Sequence, residues 1–329
     1  MIIQCNNFDN FIMVAPGSDY GIAMWSDIKK VENAIFLDYV IGSNNRLIKL
    51  LHHIHFSFVI NSKIQLPLQR VWRNYYSLEN IDISLDKRYC IIFTDISACR
   101  VDTDYLDYLS GLENTTMVMV LVNIFNSKKK ILSRRLKYFD QIYSFDKSDC
   151  DQYEFIYFPT FYSITENNND VMEIRSDAFF VGVSKDNRHD ILKKLYKKIT
   201  DNNGKTDFYI SGCKDAGHRE KGIHYNQWLD YQAVLDHVKA TNCIVEIMGA
   251  GQSGLTLRAM EAIVYNKKLL TNNKSVKTLR FYESGYIKYF EDIDDVDVDF
   301  ICNKELIDYQ YNGEFSPIHL LERIDETIS

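Results

Sequence analysis

A glycine-rich segment in the last third of the chain combines residue types that can bind phosphate. It reads Gly249-Ala-Gly-Gln-Ser-Gly254, after an apolar segment at 243–248 and before an amphipathic segment at 255–266. Glycines let backbone N–H groups approach a ligand without a Cβ clash, and the first turn of a helix presents unpaired N–H donors and a partial positive charge. The pattern therefore predicts a strand, a loop and a helix N-terminus that bind a diphosphate.

The spacing of these glycines is also the GxGxxG fingerprint of dinucleotide-binding folds, which expects an acidic residue about 20 positions further on. The corresponding residues here, Leu270-Thr-Asn-Asn273, contain no carboxylate, and the loop lies late in the chain. Both observations disfavour a nicotinamide-dependent oxidoreductase. A glycine turn that only joins a strand to a helix stays open as a structural alternative.

Arg258 and Glu261 lie three residues apart just after the loop, so a helix would make them surface neighbours. As an exposed ion pair they would contribute little to stability. In the functional interpretation, Glu261 binds ribose hydroxyls and Arg258 binds phosphate or Glu261, and the adjacent glycine loop favours this interpretation. Further cations for a diphosphate are available at Lys185, Lys267 and Lys268.

Short β-rich segments alternate with amphipathic segments along both halves of the chain. Predicted strands occupy 11–14, 34–40, 89–94, 117–124 and 141–145 in the first half, and 177–184, 207–211, 243–248, 268–271 and 286–289 in the second. Such alternation predicts parallel sheets covered by helices on both faces. We expect two α/β domains, 1–165 and 166–329, divided at the polar stretch 165–170, with a ligand site in the cleft between them.

The composition is that of an ordinary globular protein. The 329 residues are 46% hydrophobic and 25% charged, with a formal net charge of −7, which argues against a general nucleic-acid binder. The longest apolar run, near 117–122, is far shorter than the roughly 20 residues that cross a bilayer, and the first residues lack the pattern of an export signal. Seven dispersed cysteines without a CxxC pair predict reduced thiols in the cytoplasm and no zinc site.

Within 177–273 the chain resembles a known enzyme family. The similarity is carried by Cys243-Ile-Val-Glu-Ile, Gly251-Gln-Ser-Gly-Leu-Thr-Leu-Arg258, Met260-Glu261 and Lys267-Lys-Leu-Leu-Thr-Asn-Asn273. These motifs resemble bacterial glycosyltransferases of the B type (GT-B), in particular those of capsule, O-antigen and exopolysaccharide assembly. The resemblance extends little into the first 130 residues.

The resemblance implies an α/β fold of two Rossmann-like lobes with parallel sheets. It implies a nucleoside-diphosphate-sugar donor in the C-terminal lobe, a glycan or lipid-linked acceptor in the N-terminal lobe, and no obligatory metal or other cofactor. One departure concerns the Glu-x7-Glu pair of large retaining families, because the position eight after Glu261 is Leu269. The stereochemistry of transfer is therefore open.

The predicted donor site draws on three strand ends of the second half. Ser184 ends the first of these strands and Lys185 follows it, and His224 and Tyr225 stand at the mouth of the third βα unit. A solvated lysine and an ordinary helix entry are the structural alternatives for these two groups. The full predicted set is Ser184, Lys185, His224, Tyr225, Gly249, Gly251, Gln252, Ser253, Gly254, Thr256, Arg258 and Glu261.

Inverting glycosyl transfer also needs a base that takes the acceptor hydroxyl's proton. Asp19 is the preferred candidate, because it lies in the glycine-containing loop Pro16-Gly-Ser-Asp-Tyr-Gly21 just after the first strand. Asp95 is its rival after the strand at 89–94. Either aspartate is equally compatible with a role as a helix cap.

Two clusters in the first half have alternative interpretations. His52-His-Ile-His55 places adjacent histidines on different helix faces, which favours a half-buried helix over a metal site. The basic segment 128–137 is compatible with an anionic inner-membrane surface, a lipid-diphosphate acceptor or an ordinary solvated helix.

The resulting hypothesis is a cytoplasmic glycosyltransferase of surface polysaccharide synthesis, with a peripheral position at the inner membrane face as a further expectation. A nucleotide-sugar epimerase and a non-catalytic glycan-binding subunit are the alternatives.

Overall fold

The computed structural model describes residues 2–3, 5–164, 173–185, 187–213, 220–249 and 254–328. The chain forms two compact units, Met1–Ser163 with Phe315–Ser329, and Ile164–Glu314. Each unit contains a sheet of six parallel strands. The α/β class with two Rossmann-like lobes of parallel sheet is therefore confirmed.

The first sheet has the strand order β2-β1-β3-β4-β5-β6. Its strands are β1 (Asn10–Val14), β2 (Ala34–Leu37), β3 (Tyr89–Thr94), β4 (Thr115–Leu121), β5 (Gln141–Ser144) and β6 (Ile156–Tyr157). The α-helices of this unit are α1 (Asp19–Met24), α2 (Arg46–His55), α3 (Phe58–Asn61), α4 (Asp95–Ala98), α5 (Thr103–Ser110), α6 (Lys129–Leu132) and α7 (Lys147–Tyr153), with a C-terminal helix at Ile318–Thr327. Short 3-10 helices at Ser26–Lys30, Gln69–Tyr75, Ser77–Asn80, Phe125–Ser127 and Leu136–Tyr138 complete it.

The second sheet has the order β12-β11-β10-β7-β8-β9. Its strands are β7 (Ser176–Val183), β8 (Thr206–Ser211), β9 (Ile223–Tyr225), β10 (Thr241–Glu246), β11 (Lys268–Thr271) and β12 (Ile287–Tyr289). The α-helices are α8 (Arg188–Asp201), α9 (Tyr231–Lys239), α10 (Leu257–Val264) and α11 (Val298–Cys302), so the C-terminal helix is α12, and 3-10 helices lie at Lys274–Thr278, Arg280–Ser284 and Ile293–Asp295. Numbered within this unit the order is 3-2-1-4-5-6, the order of dinucleotide-binding Rossmann folds, and it reverses between β7 and β10.

Both sheets are covered on their two faces, which explains why their strands are continuous apolar runs. Every residue of β3 and of β10 is buried, as expected for central strands of parallel sheets. Ile91, Met117 and Val118 of the first sheet and Phe179, Ile244 and Leu269 of the second are fully buried. The alternation seen in the sequence thus reports true βα units.

The last residues belong to the first unit, whereas the sequence analysis assigned 166–329 to one domain. Helix α12 buries Leu320 and Ile324. Its Asp325 accepts hydrogen bonds from the backbone N–H groups of Asn6 at 2.8 Å and Asn7 at 2.9 Å. These contacts fix the end of the chain to the start of the first unit, which periodicity within a single segment does not indicate.

Helix α9 begins later than the sequence suggests. A helix entry was the structural alternative for His224 and Tyr225, but the chain first forms β9 and then begins α9 at Tyr231, capped by Asp230. Gly222 allows this course because its φ is +97° and a Cβ there would lie 2.5 Å from the Thr206 carbonyl oxygen. His224 is therefore a strand residue and not part of a helix entry.

After β11 the chain forms two successive 3-10 helices, Lys274–Thr278 and Arg280–Ser284. Across the described ranges of the chain, none of the helices combines the length and the apolar character required to cross a membrane.

Candidate functional site

The reversal point of the second sheet brings two of the predicted loops together. Strand β7 pairs with β10, with Cys243 opposite Ala178 and Ile244 opposite Phe179. Ser184 and Lys185 follow the carboxyl end of β7, and Gly249 follows that of β10. Neighbouring strands lie about 4.8 Å apart, so the two loops begin side by side. In open α/β sheets ligands bind in the crevice at such a point.

Both described ends of the glycine segment are tied to the turn after β11. The backbone N–H of Met248 donates to Asn272 Oδ1 at 2.7 Å, and that of Gly254 donates to Ser275 Oγ at 3.2 Å. Asn273 Nδ2 donates to the Gly254 carbonyl oxygen at 2.9 Å. Gly254 has φ +84°, which favours glycine over any residue with a Cβ. The loop is thus held at both ends.

Three predicted loop residues, Gly251, Gln252 and Ser253, lie outside the described part of the chain. Their predicted contact with a phosphate group stays a prediction.

A buried acid, Glu246, organises the start of the helix after this loop. It is the last residue of β10, and the hydroxyls of Thr256 and Thr271 donate to its two carboxylate oxygens. Burial raises the pKa of Glu246, while these hydroxyl donors and Asn273 oppose the rise. Sequence reasoning missed Glu246 as a site residue, because its partner Thr271 lies on the next strand.

Thr256 is the N-cap residue of α10, but its side chain makes no capping hydrogen bond. Its hydroxyl donates to Glu246 instead. The Thr256 side chain therefore does not cap the backbone N–H groups in the first turn of α10. An anionic ligand needs such uncapped N–H groups if it is to accept hydrogen bonds from them.

Arg258 and Glu261 do form a pair, but a buried one. Glu261 is fully buried, and the Arg258 side chain is 17% exposed. The contact is an ion pair whose angles do not make a hydrogen bond, and the Tyr231 hydroxyl donates to Glu261 Oε1 at 3.2 Å. Burial raises the pKa of Glu261, and Arg258 and Tyr231 oppose the rise. The carboxylate of Glu261 holds Arg258 in place and has no solvent exposure here.

Lys185 is the exposed cation of this edge. Its side chain has no ion pair with any residue in the part of the chain that the structure describes. The neighbouring Ser184 is half-buried, and its N–H donates to the Ser211 carbonyl oxygen at 2.7 Å. Lys185 is therefore available to an anionic ligand, whereas Ser184 is partly fixed by the sheet.

The other two candidate cations serve the fold. Lys268 Nζ is buried and donates to the carbonyl oxygens of Phe300 at 3.0 Å and Asn303 at 2.6 Å. Lys267 Nζ donates to the Lys239 carbonyl oxygen at 2.6 Å, and burial lowers its pKa to about 8. Both residues lie at the amino end of β11, opposite the glycine segment, so their suggested role as diphosphate cations is wrong.

His224 and Tyr225 lie on β9, which is separated from β10 by β7 and β8. Three strand spacings are about 14 Å. His224 Nε2 lies 3.2 Å from Asp207 Oδ1, and its ring stacks on Tyr209 with centroids 4.3 Å apart. The Tyr225 hydroxyl donates to Glu220 Oε2 at 3.2 Å. The described structure does not bring these two residues to the glycine segment.

The first sheet repeats the arrangement at its own reversal point. Strands β1 and β3 are neighbours, with Val14 opposite Phe93, and the two predicted acids follow them. Asp19 is exposed in the first turn of α1, whose N-cap is Ser18. Gly17 has φ +74°, and a Cβ there would lie 2.8 Å from the Tyr39 ring. The Asp19 carboxylate has no hydrogen bond or ion pair with another residue of the described ranges.

Asp95 is buried and fully paired. It accepts from Lys128 Nζ at 2.6 Å, from the Val122 N–H at 3.0 Å and from Asn123 Nδ2 at 3.0 Å. A general base needs a carboxylate oxygen within reach of the substrate proton. These contacts favour Asp19 over Asp95 for that role. The N-cap of α4 is Thr94, so Asp95 is not the helix cap either.

Over the residues that the structure describes, His, Cys, Asp and Glu side chains form no group of three or more arranged for a metal ion. In the histidine cluster, His52 is buried and His53 is exposed, so the two lie on different faces of α2, as the sequence analysis inferred.

No family model matches the chain, and no curated protein matches it. Solved structures, however, match the chain in fold. An alpha-glucosyltransferase, in complex with UDP and a 13-mer DNA containing an HMU base, is 11% identical over 97% of this chain and 99% of its own, with a TM-score of 0.58. A putative UDP-N-acetylglucosamine 2-epimerase from Listeria monocytogenes is 12% identical over 97% and 96% of the two chains, with a TM-score of 0.48. TarM is 14% identical over 68% of this chain and 49% of its own, with a TM-score of 0.43.

At these identities the likeness concerns the fold. The first of these structures matches this chain over nearly its whole length, in agreement with two lobes of the GT-B type.

Proposed function

We propose that the chain is a glycosyltransferase that moves a sugar from a nucleoside-diphosphate sugar to a glycan or lipid-linked acceptor, as in surface polysaccharide synthesis. One observation carries the proposal: the exposed Lys185 and the glycine segment follow neighbouring strands at the reversal point of the second sheet. This is the position at which open α/β sheets bind phosphate-containing ligands.

The donor diphosphate would lie between these two loops. Lys185 supplies a cation, and the first turn of α10 supplies N–H donors that Thr256 leaves uncapped. Arg258, held by Glu261, adds a second positive charge close to the same helix end. A hydrogen bond to a charged group contributes about 1.5–3 kcal/mol, so a few such contacts suffice for micromolar affinity.

The leaving diphosphate gains negative charge as the glycosidic bond to it breaks. Fixed cations and N–H groups stabilise that charge without a metal ion. For this reason the proposal includes no metal. The solved alpha-glucosyltransferase of the same fold is in complex with UDP, which makes UDP the first nucleotide to test.

Asp19 is proposed as the base that takes the proton of the acceptor hydroxyl. Its carboxylate is exposed at the carboxyl edge of the first sheet, at the start of α1. The turn before it contains Gly17 and is held by Arg100, whose Nη1 donates to the Pro16 carbonyl oxygen at 3.0 Å. A base in this role contributes about 10²–10⁴-fold to the rate. The proposed mechanism is that of an inverting transfer.

Calorimetric titration with UDP, GDP, dTDP and CMP tests the donor site. We expect one nucleotide to bind, and Lys185→Ala to weaken it by at least about tenfold, because a charged hydrogen bond is lost. Lys194→Ala is the matched control, since Lys194 is an exposed lysine on α8 of the same unit. Absence of binding to all four nucleotides, or equal affinity of the two variants, would contradict the proposal.

Product analysis separates the alternatives. A glycosyltransferase releases nucleoside diphosphate only in step with sugar transfer to an acceptor. An epimerase converts the nucleotide sugar with no acceptor present, and a non-catalytic glycan-binding subunit has no affinity for the nucleotide.

A further inference from the structure

The segment 46–75 exposes large apolar side chains in one continuous part of the first unit. On α2, Leu47, Leu50, Leu51 and Ile54 are 60%, 54%, 48% and 48% exposed. Further along, Ile64 and Leu68 are 71% and 76% exposed. Single exposed apolar residues are normal in proteins, but a contiguous group marks an interaction surface.

Helix α2 is oriented with its apolar face outward. At about 100° per residue, its four exposed leucine and isoleucine side chains occupy an arc of roughly 100°. The buried residue of the helix is His52, whose Nε2 lies 2.9 Å from the Arg100 carbonyl oxygen. Burial lowers the pKa of His52 to about 4, so a neutral imidazole faces the protein while the leucines face solvent.

Polar contacts keep the segment in this orientation. Trp72 Nε1 donates to His55 Nδ1 at 2.8 Å, and His55 Nε2 lies 2.8 Å from the Pro67 carbonyl oxygen. Asn61 Nδ2 donates to the His55 carbonyl oxygen at 2.8 Å, and Gln69 Nε2 donates to Asn61 Oδ1 at 3.0 Å. The exposed apolar side chains are thus displayed by an ordered segment.

The same segment is basic in an acidic protein. Residues 39–78 contain no aspartate or glutamate, whereas the whole chain has a net charge of −7. Arg46 is exposed beside the apolar arc of α2, and the exposed Lys63 lies beyond α3. Lys49 lies on the other side of the helix, where its Nζ is 4.3 Å from the centre of the Tyr39 ring. Arg70 and Arg73 are already close to acids outside the segment, Asp104 and Glu79.

We propose that this surface, defined by Arg46, Leu47, Leu50, Leu51 and Ile54 of α2 together with Lys63 and Ile64, docks on an anionic lipid bilayer. A helix that lies in a membrane interface inserts an apolar face between the headgroups while its flanking cations contact anionic lipids. A symmetric contact with a second copy would place the same cations against each other. The charge of the segment therefore favours the lipid surface.

This assignment replaces the basic segment 128–137 as the membrane surface. Lys128 pairs with the buried Asp95, and Arg135 is buried with hydrogen bonds to the carbonyl oxygens of Ala98 and Val101. The apolar residues of that segment, including Leu132, are in the core. Part of its charge therefore serves the fold.

Helix α2, which carries the docking surface on its outer face, is linked through its buried face to the turn that precedes Asp19. Arg100 contacts His52 through its carbonyl oxygen and the Pro16 carbonyl oxygen through its guanidinium. A bilayer on α2 would therefore lie on the acceptor side of the first unit, which suits a lipid-linked acceptor. This last step rests on the proposed function, whereas the docking itself does not.

Co-sedimentation of the full chain with vesicles tests the proposal. We expect binding to vesicles of phosphatidylcholine mixed with phosphatidylglycerol, and weaker binding to phosphatidylcholine alone. Leu50→Ser with Ile54→Ser should lower the bound fraction at least about tenfold, because two apolar side chains no longer leave water. Arg46→Glu with Lys63→Glu should abolish the preference for the anionic vesicles.

Leu306→Ser is the matched control for the apolar variants, because Leu306 is 92% exposed and lies in the other unit. Equal vesicle binding by the wild type and the apolar variants would overturn the proposal, and so would no vesicle binding by the wild type. A wild-type dimer in analytical ultracentrifugation that Leu50→Ser dissociates would assign the surface to self-association and overturn it too. Nucleotide affinity measured on the same samples reports separately on the proposed function.

Discussion

Replacing Arg258 with methionine leaves the buried carboxylate of Glu261 without its cation. The Tyr231 hydroxyl at 3.2 Å remains its only donor among the described residues. Burial already raises the pKa of Glu261 above the ordinary 4.5, and loss of Arg258 should raise that pKa further. The folded variant then keeps a proton that the unfolded chain releases.

The sign of the pH dependence follows from this proton. Below about pH 4.5 both states are protonated, and the variant loses little from the isolated carboxylate. As the pH rises toward the raised pKa of the folded state, the free energy of unfolding should fall by up to about 1.4 kcal/mol per pH unit. We expect the variant, relative to wild type, to be about 1–3 kcal/mol less stable at about pH 7.5 than at about pH 5.5.

Guanidinium unfolding followed by circular dichroism at the two pH values measures this difference. Adding Glu261→Gln to Arg258→Met should remove the pH dependence, because the glutamine does not titrate. Arg323→Met is the matched control, since Arg323 pairs with Glu326 at the same i,i+3 spacing but with 49% and 67% exposed side chains. A pH-independent loss in Arg258→Met, or the same profile in Arg323→Met, would refute the reasoning.

Three further variants test other parts of the site. Asp19→Asn should lower kcat at least about 100-fold while calorimetry shows unchanged nucleotide affinity, and retained turnover would exclude Asp19 as the base. Asp95→Asn should cost about 1.5–3 kcal/mol in chemical unfolding, because it removes the charge that strengthens the hydrogen bonds from Lys128 and the Val122 N–H to the buried Asp95 carboxylate, and an unaltered unfolding curve would contradict that. Gly254→Ala and Gly313→Ala, at φ +84° and +88°, should each cost about 1–2 kcal/mol, but calorimetry should find nucleotide binding weakened only in the former.

The strands and the loops after them could be predicted because parallel strands buried on both faces are short continuous apolar runs. Ser184 ends the run at 177–184, Lys185 follows that run, and Gly249 follows the run at 243–248. The structure places these residues at neighbouring strand ends. Their proximity depends on the strand order, which no local pattern indicates. His224 shows what happens when the strand order is unknown. It was assigned to the donor site, but it lies on β9, which is two strands away from β7 in the sheet.

Other features depend on contacts that are distant in the sequence. Glu246 acquires its role from Thr271 on the next strand. Lys268 forms an ion pair with Glu305 and donates to the carbonyl oxygens of Phe300 and Asn303. The orientation of α2 also depends on contacts that are distant in the sequence. Periodicity locates an apolar arc on a helix, but it does not say whether that arc faces the core or the solvent.

Pairing separates two kinds of charged residue at the carboxyl edges of the sheets. Asp95 and Glu246 are buried and hydrogen-bonded to donors on other elements, so their carboxyl oxygens are already occupied by protein partners. Asp19 and Lys185 are exposed, and neither has an ion pair with a described residue, so a ligand meets them without breaking an existing contact. Neutral substitution of the buried acids should therefore lower stability, whereas neutral substitution of the exposed pair should lower turnover or nucleotide affinity at unchanged stability. A variant of Asp19 that unfolds as readily as a variant of Asp95 would mean that exposure does not distinguish the reacting groups from the structural ones in this protein.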